Sequence, residues 1–414
     1  MIGSIEKGNV TNMAATNRPK LQTVSMNMEE LEQKIREHRL TIIKRVGTVA
    51  GIVFVLWLII YICSQVWTYD SHVVKSSLER PDTAATTFLE YNGNILKYSN
   101  DGAFYTDTSN NLIWNQTYEM LNPIVNTSGK YVVIGDKKGN LIYILNQSGC
   151  CGKIETTKPI LQVKIADQGT VAVLMEEDGV GYLKLYDKTG KELADGKTYA
   201  DKTGYPLDIA LSKDGEKLAV SFLDVKDGNV KCTLSFYNFG SSGQKKINNV
   251  VGTSSYSDMI IPQIDFVSNN KMIAAGDKKL IVFNCSQKPE VKKEIEYKGQ
   301  LRTLFYDDKY IGMILDNDGG KDEEKSEVYS MKIYDSSGNL VKEKAFSTTY
   351  RKAEFLSNHE ICLLNDDECT IYTLRGVEKY HETWDKSIYK ILPGSTSSRY
   401  LFIVEGETDK VKLK

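Results

Sequence analysis

The chain has 414 residues, of which 41% are hydrophobic and 26% charged, with a formal net charge of −2. These values exclude a fibrous or wholly disordered chain and leave room for one large repeat domain or two to three average ones. Beyond position 45 there are 44 Lys and Arg against 49 Asp and Glu. No basic stripe of the kind that binds a phosphate backbone accompanies that count, so nucleic acid is discounted as a ligand.

In chain order, residues 1 to about 25 are rich in Asn, Thr, Ser and Met without apolar periodicity, which reads as disorder. From Met28 the segment MEELEQKIREHRL places Met28, Leu31 and Ile35 at helical spacing, with acidic residues ahead of basic ones. The helix is expected to run on into Val46–Val66, within an uncharged stretch that reaches Tyr69. Twenty-one residues at helical rise reach roughly 31 Å, about one hydrocarbon core. Five basic residues from Lys34 to Arg45 precede the run, and only Lys75 and Arg80 follow it within a comparable distance. The positive-inside rule therefore places residues 1–45 in the cytoplasm, with Val46–Val66 in the lipid bilayer. Trp67 and Tyr69 fall where an interfacial aromatic belt would lie. Ser64-Gln65-Val66-Trp67 offers no small-residue processing site, so the segment reads as an uncleaved anchor. Residues 67–86 form a juxtamembrane linker that has room for one strand, and residues 87–414 form the extracytoplasmic domain.

That domain repeats one phrase: an alternating apolar strand ending in Tyr or Phe, then Asp or Asn, two or three turn residues, and usually Gly. Examples are Leu185-Tyr186-Asp187-Lys188-Thr189-Gly190 and Ile333-Tyr334-Asp335-Ser336-Ser337-Gly338. With Asp107, Asn146, Asp187, Asn238, Asn284, Asp335 and Arg375 as markers, the spacings are 39, 41, 51, 46, 51 and 40. This is the period of four-stranded propeller blades. In the clearest unit Tyr205–Ser212 is a first strand, Lys213-Asp214-Gly215 a turn, Glu216–Phe222 a second strand, Val230–Asn238 a third and Gln244–Val251 a fourth. The second strands, such as Val171–Leu174 and Ile361–Leu364, are apolar on both faces and need a neighbour on each side. The expected fold class is all-β, a β-propeller with an N-terminal single transmembrane helix. Eight blades are favoured over seven, because 388–414 supplies three strands of a last blade whose fourth comes from His72–Leu78 or Thr87–Tyr91.

Catalytic signatures are missing from the sequence. There is no His-Glu-x-x-His, Gly-x-Ser-x-Gly, Cys-x-x-Cys or phosphate-loop motif. Lys188-Thr189-Gly190 and Lys202-Thr203-Gly204 read as turns. Asp316–Glu327 supplies some oxygen ligands of a calcium loop but breaks the pattern at Gly320 and Lys321, and reads as a hairpin tip. Cys150-Cys151 has the spacing of a vicinal disulfide or redox pair, though buried structural thiols are the commoner use of the other strand cysteines. His359 and His381 both fall in the seventh repeat. Trp114 fits blade docking better than a quinone-cofactor site, because no other repeat carries the Trp. No catalytic, cofactor-binding or metal-ligating residue is singled out, and no cofactor is expected.

Asn94–Ser99 with Leu112–Met120, Gly204–Ile209 with Leu211-Ser212, and Phe236–Gly240 together resemble a family of membrane-anchored, propeller-like proteins of unknown function from Gram-positive bacteria. The resemblance extends from the anchor nearly to the C-terminus. It implies a bacterial cell-envelope protein, in which Asn115–Thr117 and Asn126–Ser128 would be incidental as glycosylation triplets. The expectation is a binding or scaffolding module for another envelope protein, a peptide or a glycan. Alternatives are a carboxylate-based enzyme and a transmembrane sensor.

Overall fold

The computed structural model describes residues 28–64, 67–81, 85–226, 228–316 and 328–414. The chain divides into two compact units, Met1–Cys63 and Ser64–Lys414. The expected disordered tail and all but the first residue of the Asp316–Glu327 loop lie outside the described residues.

In the first unit, the acidic-then-basic segment and the apolar run form one helix, Met28–Ser64. Its stretch Glu32–Ile62 is long and apolar enough to cross a membrane and is exposed throughout. The helix is a candidate single membrane span.

The described part of the second unit is all-β and folds into eight four-stranded antiparallel sheets. Seven sheets are sequential: 87–117, 123–155, 160–199, 205–257, 263–296, 301–346 and 352–383. The eighth takes three strands from 388–413 and its outermost strand from His72–Glu79, which pairs antiparallel with Glu407–Leu413. Of the two candidates for the closing strand, the earlier one is used. Thr87–Tyr91 is instead the first strand of blade 1. First strands of neighbouring blades contact one another at most junctions, that between blades 8 and 1 included, and form the inner wall of an eight-bladed propeller.

The core explains why the second strands are apolar on both faces. Val171, Val173 and Met175 pack toward blade 2, whereas Ala172 and Leu174 pack toward blade 4. The buried clusters fall one at each blade-to-blade interface, and the last joins Phe88 and Ile95 of blade 1 to Leu392, Leu401 and Ile403 of blade 8. That contact closes the ring and leaves no blade face bare. Trp114 is buried between blades 1 and 2, as a docking residue.

The repeated Tyr-Asp phrase is the corner between third and fourth strands. Asp187 Oδ1 accepts the N–H groups of Thr189 (2.8 Å) and Lys191 (3.0 Å), and Asp107 and Asp335 make the same pair of bonds. Gly190 then takes φ +88°, a region L side chains avoid.

Three expectations need correction. In blade 4 the fourth strand is Val250–Ser257, not Gln244–Val251. Residues 244–249 form turns and a 3₁₀ segment, with Asn248 and Asn249 at φ +52° and +58°. In blade 7 the corner residue is Thr373, two places before Arg375, and it closes the turn with its backbone, since Gly376 N donates to Thr373 O. Tyr69 belongs to the ring rather than to an interfacial belt: its N–H donates to Lys379 O at 2.8 Å, and its side chain packs on the blade 7–8 cluster.

Candidate binding site at the channel mouth

The short first strands carry polar residues among apolar ones, and some of these meet across the inner wall. Lys164 of blade 3 reaches past blade 4 to Asp265 of blade 5, with Nζ 2.5 Å from Oδ2. Tyr306 of blade 6 donates its hydroxyl to the same oxygen. Burial opposes the Lys164 charge, but Asp265 and Asp208 outweigh it and move the pKa up. Burial likewise drives the Tyr306 phenol well above its ordinary range, reinforced by Asp265. Asp208 is pushed up to about 6 by burial despite Lys164. Its Oδ2 accepts Ile264 N–H at 2.7 Å and its Oδ1 accepts Ile209 N–H at 2.8 Å, tying blade 4 to blade 5. On the other side of the ring Glu354 lies 2.7 Å from Lys390 and 3.0 Å from Lys352. Burial opposes ionisation there, but the two ammonium groups prevail and hold the carboxyl below its ordinary value.

The Lys164–Asp265 pair lines a cavity of about 180 Å³ among blades 2 to 6, with Ser128, Lys213, Tyr306, Asp307 and Asp308 also in its wall. At its rim Asp307, Asp308 and His359 bring possible ligand atoms within 4.8 Å of one another. Asp307 Oδ1 already accepts Lys309 and Tyr310 N–H groups at 2.7 Å each, and Oδ2 lies 2.6 Å from His359 Nδ1. Lys309 Nζ sits 3.0 Å from His359 Nε2. An ammonium beside the imidazole disfavours a divalent cation, so the group suits a hydrogen-bonded corner that offers charge to a ligand.

The residues noted in the sequence do not assemble elsewhere. His381 pairs with Glu368 at 2.9 Å, and His72 pairs with Glu382 at 2.5 Å beneath Trp384, so neither joins His359. Among the described residues all cysteines outside the helix are free thiols, with Cys150 exposed. Burial pushes the Cys151 thiol up, the opposite of an activated nucleophile. Lys188–Gly190 is a strand corner, and Lys202–Gly204 ends the short helix Ala200–Thr203. Asp316 pairs with Arg302 at 2.7 Å. Lys164, Asp208, Asp265 and Tyr306 were not singled out in the sequence. The available signal was a lone ionisable residue inside an apolar first strand, as in ILQVKI and QIDFVS.

Residues 65–413 match a family of unknown function, DUF5711. The chain belongs to this family. No curated protein matches the DUF5711 chain. Solved structures similar to it include BamB from Moraxella catarrhalis, at 13% identity and TM-score 0.49, covering 83% of this chain and 100% of that one. The Pan2 WD40 domain of Neurospora crassa follows at 10% identity and TM-score 0.44, with 84% and 96% covered. Kuenenia stuttgartiensis hydrazine synthase matches at 10% and 0.46, with 76% and 99% covered. None of these likenesses bears on function, and the fold rests on the strand pairing of the DUF5711 chain itself.

Proposed function

We propose that the chain is a single-pass membrane protein whose propeller acts outside the cytoplasm as a binding or scaffolding module of the cell envelope. Its N-terminus is cytoplasmic, Val46–Val66 lies in the bilayer, and the ring presents its turns to another envelope protein, a peptide or a glycan. The observation that carries this reading is the apolar helix, exposed along its described length. Such a surface needs an apolar cover, and a bilayer supplies one. The excess of Lys and Arg before the span supports the orientation.

Two measurements test it. A membrane-impermeant maleimide should label Cys150 in intact cells, and Cys150→Ser should remove the signal, whereas labelling only after lysis reverses the orientation. A photo-crosslinker placed at Asp308 should trap one reproducible partner that a probe at Leu193 on the outer wall does not. Failure of every turn position, together with turnover of a small substrate, would overturn the module reading.

A carboxylate-based enzyme is a second reading, favoured by Asp208 near 6 beside Asp265. It ranks below because Asp265 is held by Lys164 and Tyr306, and Asp208 by two backbone N–H groups. Glycan cleavage by the intact chain, abolished by Asp265→Asn, would reverse that ranking.

A further inference from the structure

A group of four cations without ion-pair partners among the described residues lies away from the channel mouth. A cavity of about 730 Å³ opens where blade 8 meets blade 1, and Lys75, Arg399, Lys410 and Lys412 line it. Three strands present them. Lys75 lies on the closing strand His72–Glu79, Lys410 and Lys412 lie on Glu407–Leu413, and Arg399 begins Arg399–Val404. Arg399 stands directly opposite Lys412 in the register. Like charges in that position repel one another and weaken the sheet unless an anion lies between them. Among the described residues, none of the four has an ion-pair partner, whereas Lys153, Lys184 and Lys279 on other blades are each paired. Glu90 is the one carboxylate in the wall, and it pairs with none of them. Asp107 stands nearby, its carboxyl held down by Asn111 and, more weakly, by Lys410. The hydroxyl-bearing residues Thr108, Ser357 and Ser395, from blades 1, 7 and 8, also line the cavity. This positive site stands on a domain whose acidic residues outnumber its basic ones.

We infer that this cavity binds a phosphate-bearing organic anion, held by Lys75, Arg399, Lys410 and Lys412. Four convergent cations suit a dianionic group, hydroxyl donors complete its hydrogen bonds, and the volume exceeds that of a single phosphate. The site exists only when the ring is closed, because its lysines come from both partners of the closing pair. The inference names a ligand for the binding module and rests on that reading.

The test uses the full chain in phosphatidylcholine nanodiscs, titrated with inorganic pyrophosphate at low ionic strength. Saturable one-to-one binding is expected, weakened at least tenfold by Arg399→Gln with Lys412→Gln and unchanged by Lys213→Gln at the channel mouth. Binding should raise the melting temperature of the wild type but not that of the double variant. Without ligand the double variant should melt at or above the wild type, because a repulsive pair is gone. A site kept for structural reasons would give a lower melting temperature instead. Phosphatidic acid vesicles identify the source: competition with pyrophosphate that the double variant abolishes assigns a lipid headgroup, and no competition assigns a soluble phosphate compound. Absence of saturable binding, or equal binding by the double variant, overturns the inference. If that happens while the crosslinker at Asp308 still traps its partner, the anion site falls and the module reading stands.

Discussion

Removing the Lys164 ammonium would leave Asp265 with the Tyr306 hydroxyl and the Phe266 N–H but no cation, and would strip Asp208 of the positive charge beside it. Breaking one side of such a buried pair costs about 3–5 kcal/mol, whereas replacing both partners with apolar residues costs far less. Lys164→Met should therefore lower unfolding free energy by about 3 kcal/mol in denaturant titrations, and Lys164→Met with Asp265→Leu should recover most of it. Asp208 adds a pH dependence. Its unfolded carboxyl titrates at 3.8 and its folded one at about 6, so between those values the folded state holds the extra proton. Its stabilising contribution is complete below 3.8 and is lost as pH rises through 6. The stability difference between wild type and Asp208→Asn should shift against the wild type by about 2 kcal/mol from pH 4 to pH 7. A flat difference would mean that the carboxyl titrates normally. Sequence reading identified the Asp or Asn at the strand corners of blades 1 to 6, because a local turn leaves a local pattern, and it missed Thr373 of blade 7, which lacks that side chain. The channel charges escaped it, since Lys164 and Asp265 are 101 residues apart and meet only through the ring.

The decisive element is the closing strand. Just past its end Arg80 is 5% exposed, donating to the carbonyls of Glu407 at 2.7 Å and Val404 at 2.8 Å while lying over the Phe88 ring of blade 1. One side chain thus fastens the strand end to blade 8 and blade 8 to blade 1. Hydrogen bonds of a charged donor contribute about 1.5–3 kcal/mol, so Arg80→Met should destabilise the chain by about that amount on chemical denaturation. Deleting 72–79 would uncover the Glu407–Leu413 edge. The expected outcome is a lower melting temperature and concentration-dependent oligomers by light scattering; a monodisperse variant with unchanged melting would count against the closure. Strand positions were legible where apolar alternation met turn residues. The fourth strand of blade 4 was misplaced because Gln244–Asn249 resembles a strand start in composition, while two successive asparagines at positive φ make it a turn. The cationic cavity was invisible to a charge count, since its four residues are spread over three strands inside an acidic domain.

For the whole molecule, the spacing of the corners predicted the blade number, because one period is one blade and each second strand demands two neighbours. The choice of closing strand was open in the sequence, since both candidates had the same strand character. Register against Glu407–Leu413 selects His72–Glu79. If the helix spans a bilayer, alkaline extraction should leave the full chain in the membrane fraction, and release of the intact chain would refute the anchor.

Pairing His72–Glu79 with Glu407–Leu413 also imposes an order in time. Seven blades have all their strands close together in the chain and can form as synthesis proceeds. The eighth cannot. Its outermost strand is among the first β-structure to be made, yet its partner is nearly the last. Until residue 413 exists, the ring stays open between blades 1 and 8, the lysines of the anion cavity are apart, and ligand binding is off. Closure is thus a long-range step of folding and the event that creates the site, so binding competence should appear only once residue 413 has been made.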